Sequence, residues 1–200
     1  MDIDLFLASA SPRRKSLLER IGVRFHVLAQ DIDEQPNEDE APEVFAIRLA
    51  LEKARAGLAA RPKGQYAPVL GADTVVAVDE SLLGKPKDKA EGLAMLERLS
   101  GRSHRVLTGV ALVDGDREST RLSISYVQFR PIEHAEAVRY WETGEPLGKA
   151  GGYAIQGLGG VFAEQLEGSY TGVMGLPLFE THDLLSEFEI DYQSHWPIGQ

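Results

Sequence analysis

Cysteine is absent from this chain, which excludes disulfides, thiolate nucleophiles and cysteine-ligated zinc and suits a reducing compartment. Histidine is sparse. His26, His104, His134, His182 and His195 are scattered with no pair at metal-binding helical spacing, so a zinc hydrolase is not expected. Long apolar runs are missing as well: nothing approaches the roughly 18 residues of a membrane span. The first residues carry neither the basic nor the apolar region of a signal peptide, and the expected location is cytoplasmic. Positive charge is the scarcer sign, 21 Lys and Arg against 31 Asp and Glu, and the net charge of −10 opposes nucleic-acid or membrane partners, whose own negative field repels it. A phosphate ligand would need a local basic pocket.

The 200 residues, 43% apolar and 26% charged, suffice for one α/β domain with a sizeable core or for two small lobes sharing a cleft. Ile3 to Ala8 and Val23 to Leu28 read as short strands. Between them Pro12 opens a helix that buries Leu17, Leu18 and Ile21 and stops at Gly22. An acidic loop from Asp31 to Glu40 precedes a long helix from Pro42 to about Ala60. Val69 to Val78 is a β-rich run, with turns at Asp79-Glu80-Ser81 and Lys85-Pro86. Asp88 and Glu91 form a capping box ahead of Leu93, Leu96 and Leu99. Asp114-Gly115-Asp116 reads as a hairpin turn between two strands. Glu133 to Thr143 is a short helix, and six glycines between Gly148 and Gly160 mark a shaped loop around Gln156. Val161 to Glu167 is a further strand, Pro177 opens the last helix, and the final ten residues read as a tail. Strands mixed with helices around one central hairpin predict an α/β protein with a mixed, twisted sheet.

Ser9-Ala10-Ser11-Pro12-Arg13-Arg14-Lys15 places three cations on the first turn of a helix, the end whose partial positive charge and free N–H groups favour anions. Ser11 suits the N-cap. Two hydroxyls, backbone amides and guanidinium forks after a strand form a phosphate cradle; the alternative is a solvated basic turn. Lys53, Lys85 and Lys87 could join such a pocket. Asp73 lies in an apolar run, where a buried carboxylate needs a cation, a metal or several hydrogen bonds; there it could hold a divalent metal and deprotonate water, or it could cap a turn at the Gly71-Ala72 break. Glu34 and Lys53 can equally be solvated loop and helix charges. Lys85 is framed by Gly84 and Pro86, which fix the backbone and leave its ammonium free to swing. Gln156 offers donors and an acceptor suited to the edge of a nucleobase, or is structural.

Six segments share one pattern: SASPRR at Ser9 to Arg14, GADTVV at Gly71 to Val76, GKP at Gly84 to Pro86, SGRSHRVLTGV at Ser100 to Val110, KAGGYAIQG at Lys149 to Gly157, and GSYTGVMGLPL at Gly168 to Leu178. In this order, from about Leu5 to Phe188, the chain resembles the Maf family of nucleoside triphosphate pyrophosphatases. The resemblance implies hydrolysis between the α and β phosphates with a divalent cation (Mg²⁺, Mn²⁺ or Co²⁺). It implies a mixed sheet flanked by helices in two lobes around a deep nucleotide cleft, as in inosine triphosphate pyrophosphatases. A single domain over residues 1–190 with a tail at 191–200, and a homodimer, are also implied. Carried over, Asp73 is the proton acceptor with Lys53 and Lys85 as catalytic partners, Glu34 and Asp73 lie near the metal, and Ser9, Arg13, Arg14, Thr74 and Gln156 bind substrate. Arg13, Thr74 and Gln156 match the branch acting on dTTP and UTP, with CTP or modified pyrimidine nucleotides as further candidates; the 7-methylguanosine branch has Trp in place of this Arg. Gly148 stands where the family often has Asp, and Gly172 where it has Asn or Ala, which is expected to loosen the glycine loop. The competing reading is a nucleotide-binding regulator of cell division with little catalysis; a phosphatase releasing orthophosphate would share the same metal and cations.

Overall fold

A computed structural model describes residues 3–29, 31–79 and 81–197. In chain order it forms β1 (Leu5–Leu7), α1 (Pro12–Arg20), β2 (Phe25–Val27), α2 (Pro42–Ala59), β3 (Val69–Val78), β4 (Ser81–Leu83), α3 (Lys89–Leu99), β5 (Ser103–Val113), β6 (Glu118–Phe129), α4 (His134–Glu142), β7 (Ala163–Glu167), α5 (Tyr170–Met174) and α6 (Leu178–Glu187). Short 3-10 turns lie at Ala150–Gly152, Leu158–Phe162 and Tyr192–His195. The strands make a seven-stranded mixed sheet in the order β2-β1-β3-β5-β6-β7, with β4 on β3. β1 runs parallel to β2 and β3, pairing Leu7 with Val27 and with Leu70, while β4 and β7 run antiparallel to β3 and β6. The mixed α/β sheet expected from the sequence is therefore present. Among the described residues no helix is long and apolar enough to cross a membrane.

The chain divides into two compact units, one of Met1–Asp73, Thr108–Leu122 and Gly175–Gln200, the other of Thr74–Leu107 and Ser123–Met174. In the first, α2 buries Phe45, Ala46, Leu49, Ala50, Lys53 and Ala54 against a core that includes Phe6, Val69 and Ala111. Two glycines set how closely this helix lies on its strands. A Cβ on Gly71 would overlap the Ala50 carbonyl oxygen and the Ala54 nitrogen, and one on Gly109 would overlap the Ala46 carbonyl oxygen. Backbone meets backbone at two points one helical turn apart, a closeness that only residues without a side chain permit.

In the second unit a core of Val76, Leu83, Leu96, Leu99, Val127 and Phe129 is joined by an aromatic group. Phe129 stands edge-on to His104 and to Tyr153 with ring centres 4.9 and 4.8 Å apart, and Tyr140 is edge-on to Phe162 at 5.1 Å. β6 turns Ser123, Ser125, Val127 and Phe129 inward and leaves Ile124 and Tyr126 exposed. The inward Ser125 hydroxyl accepts from Ser169 N at 2.9 Å, and the absence of a Cβ on Gly168 leaves room for it.

Local signals are realised closely. Asp88 accepts from Glu91 N at 2.9 Å to cap α3, and Glu91 in return accepts from Lys87 N at 2.7 Å. The hairpin turn closes on Asp114 Oδ1, which accepts from Asp116 N and Arg117 N. Three readings change. Ser11 occupies the N-cap of α1 without a side-chain capping bond, and Ser9 Oγ instead accepts from Ser11 N at 3.3 Å. The turn read at Asp79-Glu80-Ser81 involves Glu80, which lies outside the described residues, and Ser81 already belongs to a strand. The shaped glycine loop holds two 3-10 turns, the first of them kinked by consecutive glycines at positive φ (Gly151, 69°; Gly152, 67°). In the terminal segment, Trp196 Nε1 donates to Ile21 O at 2.6 Å; residues 198–200 lie outside the described residues.

Candidate active site

Lys53, three residues beyond the point where α2 touches Gly71, projects its ammonium between two carboxylates. It lies 2.5 Å from Asp73 Oδ1 and 2.6 Å from Glu34 Oε1. Gly71 and Asp73 share one face of β3 because side chains alternate along a strand, so the close approach at Gly71 brings Lys53 to Asp73. Asp73 is 7% exposed and Lys53 8%. Asp73 stands in the middle of a continuous strand, which removes the turn-capping alternative, and Lys53 is not a solvated helix charge. A buried ion pair contributes little net stability over an apolar pair of the same size, so a third polar partner gathered on it points to a site.

Glu34 reaches Lys53 because its loop is tied down by a residue the sequence reading overlooked. Arg48, on α2, donates to Gln35 O at 3.0 Å and pairs with Glu40 at 2.6 Å and with Glu52. Hydrogen bonding to Glu40, helped by Glu52 and opposed by burial, holds the Arg48 pKa above its ordinary value. Only the Arg48–Glu52 spacing along the helix was visible beforehand.

The basic turn supplies the rest. Arg14 Nε donates to Gly175 O at 2.7 Å and Nη1 to Ser9 Oγ at 3.1 Å, and Ser9 is itself buried. Burial lowers the Arg14 pKa; the charges of Asp73 and Glu34 oppose that shift and Arg13 adds to it, which sets Arg14 in the field of both acids and of its neighbour. Burial also lowers the Arg13 pKa. Both remain cations, as a guanidinium does throughout the working pH range. Ser9, Arg13, Arg14, Glu34, Lys53 and Asp73 are thus gathered in the first unit. The Gly175 carbonyl that orients Arg14 lies in the GSYTGVMGLPL segment, to which the sequence reading gave no role.

Thr74, Lys85 and Gln156 belong to the second unit. Lys85 and Gln156 are exposed and Thr74 is half-buried. The Gly84-Lys85-Pro86 turn is tied to the glycine segment, since Gly151 N donates to Gly84 O at 3.0 Å. At Gly148 the backbone is left-handed (φ 70°) with open space where a Cβ would sit, whereas a Cβ on Gly172 would meet Ser169 and Ser123 at 3.1–3.2 Å. Hydrogen at 172 therefore fits close packing rather than loosening it.

The donor set discriminates between metals. Among the described residues no group of three or more His, Cys, Asp or Glu could enclose an ion, but Glu34 and Asp73 converge on one cation. Two carboxylates completed by water and phosphate oxygens suit magnesium-like ions. A mixed α/β sheet bearing paired acids among buried cations is chemically suited to a polyanion taken up with a metal. The chain belongs to the Maf-like protein family, whose model matches residues 4–188. It is 63% identical over 195 residues to a dTTP/UTP pyrophosphatase of Alkalilimnicola ehrlichii, covering 96% of each chain. It is 51% identical over 188 residues to one of Saccharophagus degradans (94% of this chain, 90% of that one) and 50% identical over 196 residues to one of Aromatoleum aromaticum (92% and 95%).

Proposed function

We infer that this chain is a nucleoside triphosphate diphosphatase that hydrolyses dTTP and UTP to the monophosphate and pyrophosphate. The observation that carries the chemistry is the Lys53 ammonium held between Asp73 and Glu34 beside Arg14 and Ser9: acids for a metal and a proton, cations for phosphate. Relatives named dTTP/UTP pyrophosphatase at 46–63% identity over nearly the whole chain supply the substrate class.

In this reading Asp73 takes the proton from the water that attacks phosphorus, the bridging P–O bond between α and β phosphates breaks, and pyrophosphate leaves. Lys53 fixes the orientation of the Asp73 carboxylate. Arg14 and Lys85 bind phosphate oxygens through charge-assisted hydrogen bonds, with Ser9 holding the Arg14 fork, and Arg13 lines the substrate path. Glu34 and Asp73 would hold the divalent cation, which when bound supplies neutralisation of a substrate bearing roughly four negative charges. Thr74 and Gln156 contact the nucleoside, a role that rests on their motifs. The homodimer, the cytoplasmic location, the absence of nucleic-acid and membrane partners, and the single domain over residues 1–190 belong to the same proposal, supported by the family resemblance and by the net charge of −10.

The test is product analysis. Purified protein incubated with UTP, dTTP, CTP, ATP and GTP plus magnesium, manganese or cobalt is expected to release pyrophosphate, fastest from UTP and dTTP, and to fall silent in excess chelator. Orthophosphate as first product would make it a phosphatase, binding without turnover would make it a regulator, and full turnover in chelator would remove the metal.

A further inference from the structure

The glycine-rich segment that carries Gln156 is held by a carboxylate that none of the assigned roles uses. Glu145, just beyond α4, accepts from Gly159 N at 2.9 Å and from the Tyr140 hydroxyl at 2.8 Å through Oε1, and from Leu158 N at 2.9 Å through Oε2. The Tyr140 hydroxyl in turn accepts from Ala154 N at 3.2 Å. The backbone is therefore anchored two residues before Gln156 and two and three residues after it, all through one side chain and its hydroxyl relay. A Cβ on Gly157 would overlap the Glu145 carboxyl group, so the residue following Gln156 is a glycine where the carboxylate must pass. Lys149 also donates to the Glu145 backbone oxygen, fixing the start of the segment to the same residue.

The protonation states suit this arrangement. Burial opposes ionisation of Glu145, but hydrogen bonds from Gly159, Leu158 and Tyr140 outweigh it and hold its pKa below the ordinary value. Burial, then the Glu145 hydrogen bond, raises the Tyr140 pKa, which keeps its hydroxyl a donor. An ionised acceptor facing three donors makes charge-assisted bonds stronger than neutral ones, and an amide in its place must turn an N–H₂ towards at least one donor.

We propose that Glu145 is the positioning residue for nucleobase selection: through the Leu158 and Gly159 amides and the Tyr140 hydroxyl it fixes the backbone on both sides of Gln156 and so sets the preference for pyrimidine triphosphates. This rests on the reading that the Gln156 segment meets the base.

The experiment measures kcat and KM for UTP, dTTP, ATP and GTP, with magnesium, for the full chain and for Glu145→Gln, Tyr140→Phe, Gln156→Ala and the Glu145→Gln/Gln156→Ala double variant, together with amide hydrogen exchange over residues 154–160. Glu145→Gln is expected to raise KM for UTP about 10-fold with kcat within about twofold, to cut the preference for UTP over ATP about 10-fold, and to speed exchange at Leu158 and Gly159. Tyr140→Phe should act in the same direction at about threefold, and the double variant should lose no more selectivity than Gln156→Ala alone, because contacts that act through one residue are not additive. Unchanged nucleotide ratios in Glu145→Gln, or an equal fall in kcat for all four substrates, overturn the proposal; if that variant does not fold, the ratios of Tyr140→Phe decide it in the same way. Should Gln156→Ala alter the ranking while Glu145→Gln does not, the proposal falls and the reading of Gln156 survives. Should Glu145→Gln alter it while Gln156→Ala does not, Glu145 does not act through Gln156, and both the proposal and the reading of Gln156 fall.

Discussion

The acid–cation centre of the first unit and the glycine segment of the second both satisfy polar groups with protein partners, and they do it by opposite means. At Lys53 the partners come from residues 14, 34, 53 and 73, far apart along the chain, and the satisfied groups are formal charges on both sides. At Gln156 the partners lie between Tyr140 and Gly159, and one carboxylate serves neutral amides and a hydroxyl. A charge-dense site assembled by long-range packing can present both signs to a substrate with a metal; a locally anchored loop can present one amide side chain in a fixed direction. The first arrangement suits chemistry and the second suits recognition.

The comparison is broken most severely by removing charge at the centre. Asp73→Asn should fold, because Lys53 keeps its Glu34 partner and Asn can still accept from it, but turnover of UTP should fall about 10²–10⁴-fold with loss of the general base. Wild-type kcat at saturating metal and substrate in a folded variant would make Asp73 structural.

Next in size comes the packing that delivers Lys53. Gly71→Ala forces a methyl group into the α2 backbone, and because backbone cannot swing aside as a side chain can, a loss of about 3 kcal/mol is expected. Denaturant unfolding measures it. A change below about 0.5 kcal/mol would show that the helix rides over the strand without cost.

A pH effect of similar size should come from the second unit alone. His104 is 2% exposed, with Nε2 2.8 Å from the Tyr153 hydroxyl, and burial lowers its pKa from 6.5 to about 4. Between those values the unfolded chain binds a proton that the folded one does not. Stability from this group is therefore full above pH 6.5 and is lost as pH falls towards 4, by about 3 kcal/mol at 1.36 kcal/mol per pH unit. In His104→Phe this part of the slope should vanish, at a fixed cost of about 1–3 kcal/mol for the unpaired Tyr153 hydroxyl. Equal slopes in thermal melts of both proteins from pH 7 to 4.5 would contradict the assignment.

The smallest effect sharpens the contrast between chemistry and recognition. Gln156→Glu leaves acceptors only, so one base edge goes unsatisfied and kcat/KM for UTP should fall roughly 5- to 150-fold. Arg13→Ala should change the ranking of nucleotides if Arg13 touches base or sugar, and weaken all triphosphates alike if it binds phosphate; the Trp that the resemblance puts here in the 7-methylguanosine branch favours the change in ranking. Constant ratios over four triphosphates in both variants would take both residues out of specificity.

The elements and the order of the motifs were legible in the chain alone. A β-rich run placed β3 over Val69–Val78, Pro42 opened α2, and the Asp88–Glu91 box opened α3, because strand propensity, proline geometry and capping act within a few residues. The chain also put Asp73 in an apolar strand, from which a cationic partner could be inferred though not chosen among Arg13, Arg14, Lys53 and Lys85. Long-range packing settled that choice. It did so through two glycines that let α2 touch β3 and β5 and through Arg48 holding the Glu34 loop, contacts between residues whose separation in sequence carries no periodic trace. Glu145 escaped the sequence reading for the same reason in miniature: a glutamate after a helix reads as solvated, and only the fold of the glycine segment turns amides of Leu158 and Gly159 towards it. Local preferences are written residue by residue, whereas the partner of a buried charge is fixed by which surfaces can approach closely enough to exclude water.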